Sequence, residues 1–153
     1  MQRRKHHTKG ARIVEFLLLI ALPIVCHFLI PVTILLSGPI RLTGIILMII
    51  GAWVSTKAAK MFRKAGSDFK LQGQTPSLQT TGIFRFSRNP MYLGMVIWLI
   101  GLAVLLGSFT PFLFPVLIFI VLHFGFIPVE EKRLEKIFGT QYQNYRKKAR
   151  RWL

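Results

Sequence analysis

Four long apolar runs alternate with shorter polar segments along the 153-residue chain. The apolar runs cover about residues 13–36, 40–56, 90–106 and 111–127. Because a helix rises about 1.5 Å per residue, roughly 20 residues cross the ~30 Å hydrocarbon layer of a bilayer. The pattern therefore predicts an all-α integral membrane protein with four transmembrane helices. The length of the chain predicts one domain, residues 1–153.

Proline, asparagine and glycine mark the predicted helix ends. Asn89-Pro90 combines a capping residue with a proline at the first helical position, which predicts the start of the third span. Pro128 removes one backbone hydrogen bond and predicts a kink between His123 and Glu130. Gly139 is a helix stop, and the helix after it is amphipathic. We expect that last helix to lie on the membrane surface.

Basic residues fall almost wholly on one side of the predicted membrane. The net charge is +16, and 20 of the 21 Lys and Arg lie in the N-terminal tail, in segment 57–91 or in segment 130–153, with Arg41 as the exception. The positive-inside rule then predicts cytoplasmic N and C termini, next to anionic lipids. Basicity of this kind reflects topology and argues against nucleic-acid binding. We expect a bacterial or archaeal cell membrane.

Two cytoplasmic elements carry the candidate chemistry. The helix start beside Arg88 is an anion site, because free N–H groups and the guanidinium point the same way. Glu130 and Glu131 supply the opposite charge. Glu130 falls on one predicted helical stripe with His123, which lies two turns deeper, and Glu131 falls at the edge of that stripe. This set suits a zwitterionic ligand that has a carboxylate and an ammonium or sulfonium group. The alternative is that the glutamates pair with basic residues of their own helix and that Arg88 binds lipid headgroups. No metal site is predicted.

These residues resemble a known family. Arg88-Asn-Pro-Met-Tyr-Leu-Gly94, followed by Glu130-Glu131-x-x-Leu134-x-x-x-Phe138-Gly139-x-x-Tyr142-x-x-Tyr145, is similar to motifs of the isoprenylcysteine carboxyl methyltransferase and phospholipid methyltransferase family. The positions that also fit are Leu78, Thr81, Gly82, Phe84 and the closing Arg151-Trp152. The resemblance covers roughly residues 60–153. It implies a membrane enzyme with cytoplasmic C-terminal helices that transfers the methyl group of S-adenosylmethionine to a lipophilic acceptor entering from the bilayer.

The resemblance also implies roles, residue by residue. Catalytic roles fall to Arg88, Asn89 and Tyr92. Cofactor binding falls to Glu130 and Glu131, expected near the amino group of the cofactor, and to Pro90, Tyr92, His123 and Tyr145. The family commonly has histidine where this chain has Asn89, and asparagine cannot titrate near neutral pH. We therefore expect catalysis mainly by positioning of the reactants.

Two other functions stay open at this point. A membrane scaffold or lipid-binding protein would retain the helical hairpin without catalysis, and a membrane reductase of lipids would use NADPH. The identity of the methyl acceptor, the oligomeric state and the possible closure of segment 67–81 as a lid are left open by the sequence.

Overall fold

The computed structural model describes residues 18, 20–30, 33–64 and 78–153, so the candidate lid falls largely outside the described residues. Within these ranges the elements are helical apart from two isolated β-bridges, which confirms the all-α prediction for this part of the chain. The helices are α1 (Ile20–Leu29), α2 (Thr43–Lys64), α3 (Pro90–Leu106), α4 (Phe109–Ile120), α5 (Ile127–Phe138) and α6 (Thr140–Lys148). The 3-10 turns Gly38–Leu42 and Gly82–Arg85 precede α2 and α3, and the π-helical segment Val121–Phe126 joins α4 to α5.

Two helical stretches of the described chain are long and apolar enough to cross a membrane. They are Gly38–Lys64 and Phe109–Phe138, judged by length and composition. The apolar helices Ile20–Leu29 and Pro90–Leu106 are shorter. The limits of α3 agree with those predicted for the third helix, whereas the predicted first span, 13–36, begins outside the described residues. Four membrane crossings stay a prediction.

Helices α2 and α3 approach each other closely at two levels. A Cβ added to Gly94 would lie 2.6 Å from the carbonyl oxygen of Gly51, and one added to Gly101 would lie 2.6 Å from that of Gly44. Real side chains do not tolerate such distances, so only glycine allows the two backbones to touch here. The small residues of these apolar helices therefore hold α2 and α3 together as a pair.

The end of the bundle remote from the candidate site is tied by polar contacts. The Arg41 guanidinium donates to the carbonyl oxygens of Leu105 and Leu106, which end α3 without a helical partner. His27 Nδ1 lies 2.6 Å from the hydroxyl oxygen of the fully buried Ser108. This contact ties His27 of α1 to the residue that precedes α4.

The helix changes type in the region where a kink near Pro128 is predicted. Residues Val121–Phe126 form a π-helix, in which each N–H bonds a carbonyl five residues earlier and the turns are wider. Pro128 lies two residues after this segment and has no N–H to donate to the Phe124 carbonyl. The wider turns come before the proline and change the direction in which the side chains of α5 point relative to that of His123.

Helix α6 packs on the protein and not on lipid, so the predicted surface placement of its apolar stripe is wrong. Tyr142, Tyr145 and Ala149 are buried together, packed against Leu134 and Phe138 of α5 and against Leu78. The two tyrosines bury a large apolar area in this contact with their own chain. The helix ends at Lys148, and Trp152 lies beyond it.

Candidate functional site

The C-terminal segment and the residues before α3 run side by side. Ser87 and Arg150 form a parallel β-bridge, and the Arg88 N–H donates to the Arg150 carbonyl over 2.8 Å. The Asn89 side-chain amide donates to the Arg151 carbonyl over 2.9 Å. Asn89 is the N-cap residue of α3, but its side chain makes no capping bond, contrary to prediction, because its amide is directed at the tail.

Glu131 joins the two candidate charge sites into one buried ion triad. Its Oε1 accepts from Arg88 Nη2 at 2.8 Å, and its Oε2 accepts from Arg151 Nη2 at 2.6 Å. The Arg88 side chain is 9% exposed and that of Arg151 is 27% exposed. The alternative in which Glu131 pairs with bases of its own helix is therefore wrong. Two arginines around one carboxylate leave an excess of positive charge at the start of α3.

Glu130 lies apart from the triad, on the exposed side of α5. The Tyr92 hydroxyl and the Arg133 guanidinium both interact with its carboxylate. The sequence pattern placed Glu130 on the predicted stripe and Glu131 at its edge. Within α5, the fully buried Ile127 is followed four residues later by the buried Glu131, so the inward face runs through Glu131 instead. A regular helical period counted from His123 predicts the wrong inward-facing glutamate, because the π-helical segment between His123 and α5 has more residues per turn.

Arg88 retains one buried donor without a partner among the described residues. Its Nη1 donates to the Arg146 carbonyl over 3.2 Å and its Nη2 binds Glu131, but its Nε is buried and makes no hydrogen bond there. A buried unpaired N–H of a charged group is costly, and native structures rarely keep one. A carboxylate placed at this atom would satisfy it. The residues present thus fit the carboxylate of an amino-acid-like ligand.

Tyr145, one of the expected cofactor contacts, has a partner within the protein. Its hydroxyl donates to the Phe84 carbonyl over 2.6 Å, and burial raises the pKa of its phenol. Burial also raises the pKa of the neighbouring Tyr142, and the negative charge of Glu131 adds to that rise. Both tyrosines are therefore neutral, and the Tyr145 bond holds α6 against the 3-10 turn before α3.

His123 contacts aromatic residues on two sides. The Trp152 Nε1–H donates to His123 Nδ1 over 3.0 Å, and the His123 ring stacks on Phe119 with centroids 5.6 Å apart. The sequence pattern placed Trp152 on the apolar stripe of the last helix and Arg151 beside it, facing anionic lipid, but gave neither residue a role in the site. The closing Arg-Trp pair that fits the family pattern was the signal that could have found them, since the helix ends at Lys148.

The site thus collects most of the predicted residues at the start of α3. Arg88 bonds Glu131 directly, and Asn89 is connected to them through Arg151. The Tyr92 hydroxyl links Glu130 to the same helix end. Pro90 is fully buried at the first helical position. His123 joins this region through Trp152, the residue after Arg151.

Comparison with known proteins identifies the family. The sequence profile of the phospholipid methyltransferases matches residues 40–141, more than half of the chain and all of α3 and α5. The chain belongs to the phospholipid methyltransferase family. The match includes Arg88, Glu130 and Glu131, whereas Arg151 and Trp152 lie beyond it. The family match therefore covers the core of the ion triad.

Individual relatives agree with the family. A protein-S-isoprenylcysteine O-methyltransferase of Schizosaccharomyces pombe is 39% identical over 72 residues, 47% of this chain and 30% of the relative. A protein of the same name from Saccharomyces cerevisiae is 34% identical over 113 residues, 69% of this chain and 45% of the relative. The chain thus spans less than half the length of either. An uncharacterized protein of Haemophilus influenzae is 35% identical over 63 residues, its whole length. No solved structure gives a significant match.

Proposed function

We propose that this protein transfers the methyl group of S-adenosylmethionine to a lipophilic acceptor at the cytoplasmic face of a membrane. The observation that carries the proposal is the buried Arg88 Nε, a charged donor without a protein partner among the described residues, at the start of α3. The family membership supplies the reaction class, and the relatives named protein-S-isoprenylcysteine O-methyltransferase make a prenylated cysteine carboxylate one candidate acceptor.

In this proposal the charged groups divide the ligand between them. Arg88 Nε and the free N–H groups of the first turn of α3 bind the carboxylate of the cofactor, because both present donors at a helix N-terminus. Glu130 faces the ammonium group of the cofactor, and the Tyr92 hydroxyl holds the Glu130 carboxylate in place. Glu131 acts mainly through Arg88, whose guanidinium it fixes with a bond of 2.8 Å.

The chain's residues then work by placing the reactants. When bound, S-adenosylmethionine would supply an electrophilic methyl group on a sulfonium. Asn89 is committed to the Arg151 carbonyl and has no titratable group, so it orients and does not take up a proton. A carboxylate, thiolate or amine acceptor already has the lone pair that attacks the methyl carbon. In-line alignment and exclusion of water are therefore what the site must provide.

The proposed topology has four spans with the site and both termini on the cytoplasmic side. Arg88 and Arg151 lie at one end of the bundle, and Arg41 at the other end is bonded to the carbonyls that end α3. Apolar side chains of the α4–π segment face outward, among them Val116, Ile120 and Phe124. An acceptor with a hydrocarbon chain could therefore reach the site sideways from the bilayer.

Calorimetric binding of S-adenosylhomocysteine tests this function, with the protein in lipid nanodiscs. We expect micromolar binding by the wild type and a loss of about tenfold to a hundredfold in Arg88→Lys, because the ammonium group cannot replace the Nε donor of the guanidinium. The matched control is Arg85→Lys, three residues earlier at an exposed position. Glu130→Gln, which keeps the size of the side chain, should also weaken binding.

Three results would reject the proposal. They are no binding to folded wild-type protein at millimolar ligand, equal affinity in Arg88→Lys and Arg85→Lys, and binding of NADPH in place of the methyl donor. The last of these would favour the lipid reductase. Folding of each variant is checked by thermal unfolding before binding is compared.

A further inference from the structure

The indole of Trp152 and the imidazole of His123 share a hydrogen bond whose direction is fixed by chemistry. The indole Nε1–H can only donate, so His123 Nδ1 must accept across the 3.0 Å between them. An imidazole whose Nδ1 accepts is neutral and carries its proton on Nε2. The contact therefore selects one tautomer and leaves Nε2–H as a donor.

Aromatic stacking fixes the same pair in orientation. The rings of His123 and Trp152 are nearly parallel, 11° apart with centroids separated by 6.4 Å. Phe119 stacks on both, with centroids 4.8 Å from Trp152 and 5.6 Å from His123. Trp152 also packs against the buried cluster that contains Leu122, inside the π-helical segment, and Ile127, directly after it. Three rings and this cluster leave the indole little freedom to turn.

The residues before Trp152 connect it to the ion triad. Arg151 binds Glu131, and its carbonyl accepts from Asn89. The position of the indole is thereby set by the same contacts that hold Arg88. His123 lies in the π-helical segment, a local geometry that is frequent at functional sites and turns a side chain away from the regular helical period.

We propose that Trp152 is a positioning residue that holds His123 as the Nε2–H tautomer, so that His123 serves the site as a hydrogen-bond donor and not as a proton acceptor. The proposal rests on the proposed function and refines it. The adenine and ribose of the cofactor offer acceptor atoms that such a donor can bind. The closing Arg151-Trp152 pair then has two roles, since Arg151 fixes the charge site and Trp152 fixes the histidine.

Nitrogen NMR of the imidazole tests the tautomer without any ligand. Protein with 15N-labelled histidine is placed in lipid nanodiscs, and the His123 signals are assigned by their absence from His123→Gln. We expect the wild type to show the Nε2–H form alone and Trp152→Phe, which keeps an aromatic ring but lacks the donor, to show exchange between both tautomers. The control is Trp53→Phe, the same change at a tryptophan that is 55% exposed. A wild-type Nδ1–H form, or an unchanged spectrum in Trp152→Phe, would overturn the proposal.

Binding of S-adenosylhomocysteine to the same variants tests the consequence for the site. We expect Trp152→Phe to bind about tenfold more weakly than the wild type, and to have no further effect in the His123→Gln background. Undiminished binding by Trp152→Phe would also overturn the proposal, as would full additivity of the two substitutions. No binding by the wild type rejects the proposed function instead, and the NMR spectrum still decides the tautomer.

Discussion

Replacing Glu131 by glutamine tests the ion triad as a source of stability. The change keeps the shape of the side chain but removes the charge that two arginines share. Arg88 is 9% exposed and cannot turn to water, so it stays as a buried charge without its counter-ion. Breaking a buried pair in this way costs about 3–5 kcal/mol. Arg151 is 27% exposed and can reach water, so breaking its ion pair with Glu131 adds at most about 1 kcal/mol to the loss of stability.

Equilibrium unfolding in lipid–detergent bicelles measures these differences. Because glutamine still accepts one neutral hydrogen bond, we expect Glu131→Gln to lower the free energy of unfolding by about 3 kcal/mol, at the lower end of that range. Arg151→Gln should lower it by only about 1 kcal/mol. Glu135→Gln is the matched control, since the Glu135 carboxylate accepts a hydrogen bond from the amide of the exposed Gln143. Equal losses in Glu131→Gln and Glu135→Gln would refute the reasoning.

Three further predictions concern packing, pH and the remote end of the bundle. Gly94→Ala should cost about 1–3 kcal/mol in the same unfolding assay, while Gly125→Ala, which meets open space, should cost less than about 0.5 kcal/mol; equal losses would contradict the close helix contact. A tyrosine in the unfolded chain has a pKa of ~10, and burial raises the pKa of Tyr145 above this value in the folded protein. The stability that the neutral phenol contributes is therefore complete below the unfolded pKa and is lost as pH rises through the folded pKa. Tyr145→Phe removes the hydroxyl that donates to the Phe84 carbonyl, so it should lower the free energy of unfolding by about 1–3 kcal/mol at pH 7. In a pH series of melting curves, the variant should also lose less stability at alkaline pH than the wild type. Arg41→Gln should lower thermal stability without changing the affinity for S-adenosylhomocysteine, since Arg41 lies at the end of α3 remote from the site.

The sequence predicted helix ends well where the signal depends only on neighbouring residues. The Asn89-Pro90 pair gave the start of α3, and Gly139 gave the end of α5. The proximity of Arg88 to the acidic helix followed from topology alone, because two elements on one side of a short hairpin must meet. These inferences needed only propensity, hydropathy and connectivity.

The details of the site depended on contacts that no local signal encodes. The π-helical turn moved the inward position from Glu130 to Glu131, and a period of 3.6 residues cannot anticipate an added residue in a turn. Asn89 has the composition of a cap, but the tail offers its amide a carbonyl 62 residues away in sequence. The apolar stripe of α6 fits a lipid surface and a protein surface equally well, and only the fold shows that Tyr142 is buried by its own chain.

The glycine contacts between α2 and α3 have a consequence for which parts of the bundle can shift. Two backbones that touch at Gly51–Gly94 and again at Gly44–Gly101 cannot slide past each other without collision. The wide turns of Val121–Phe126 interrupt regular helix bonding between α4 and α5, and helices bend most readily at such places. Arg88 lies just before α3, in the glycine-packed pair, and Glu131 lies on α5, beyond the wide turns. Any displacement of α5 away from the α2–α3 pair therefore has to break the ion pair between Arg88 and Glu131.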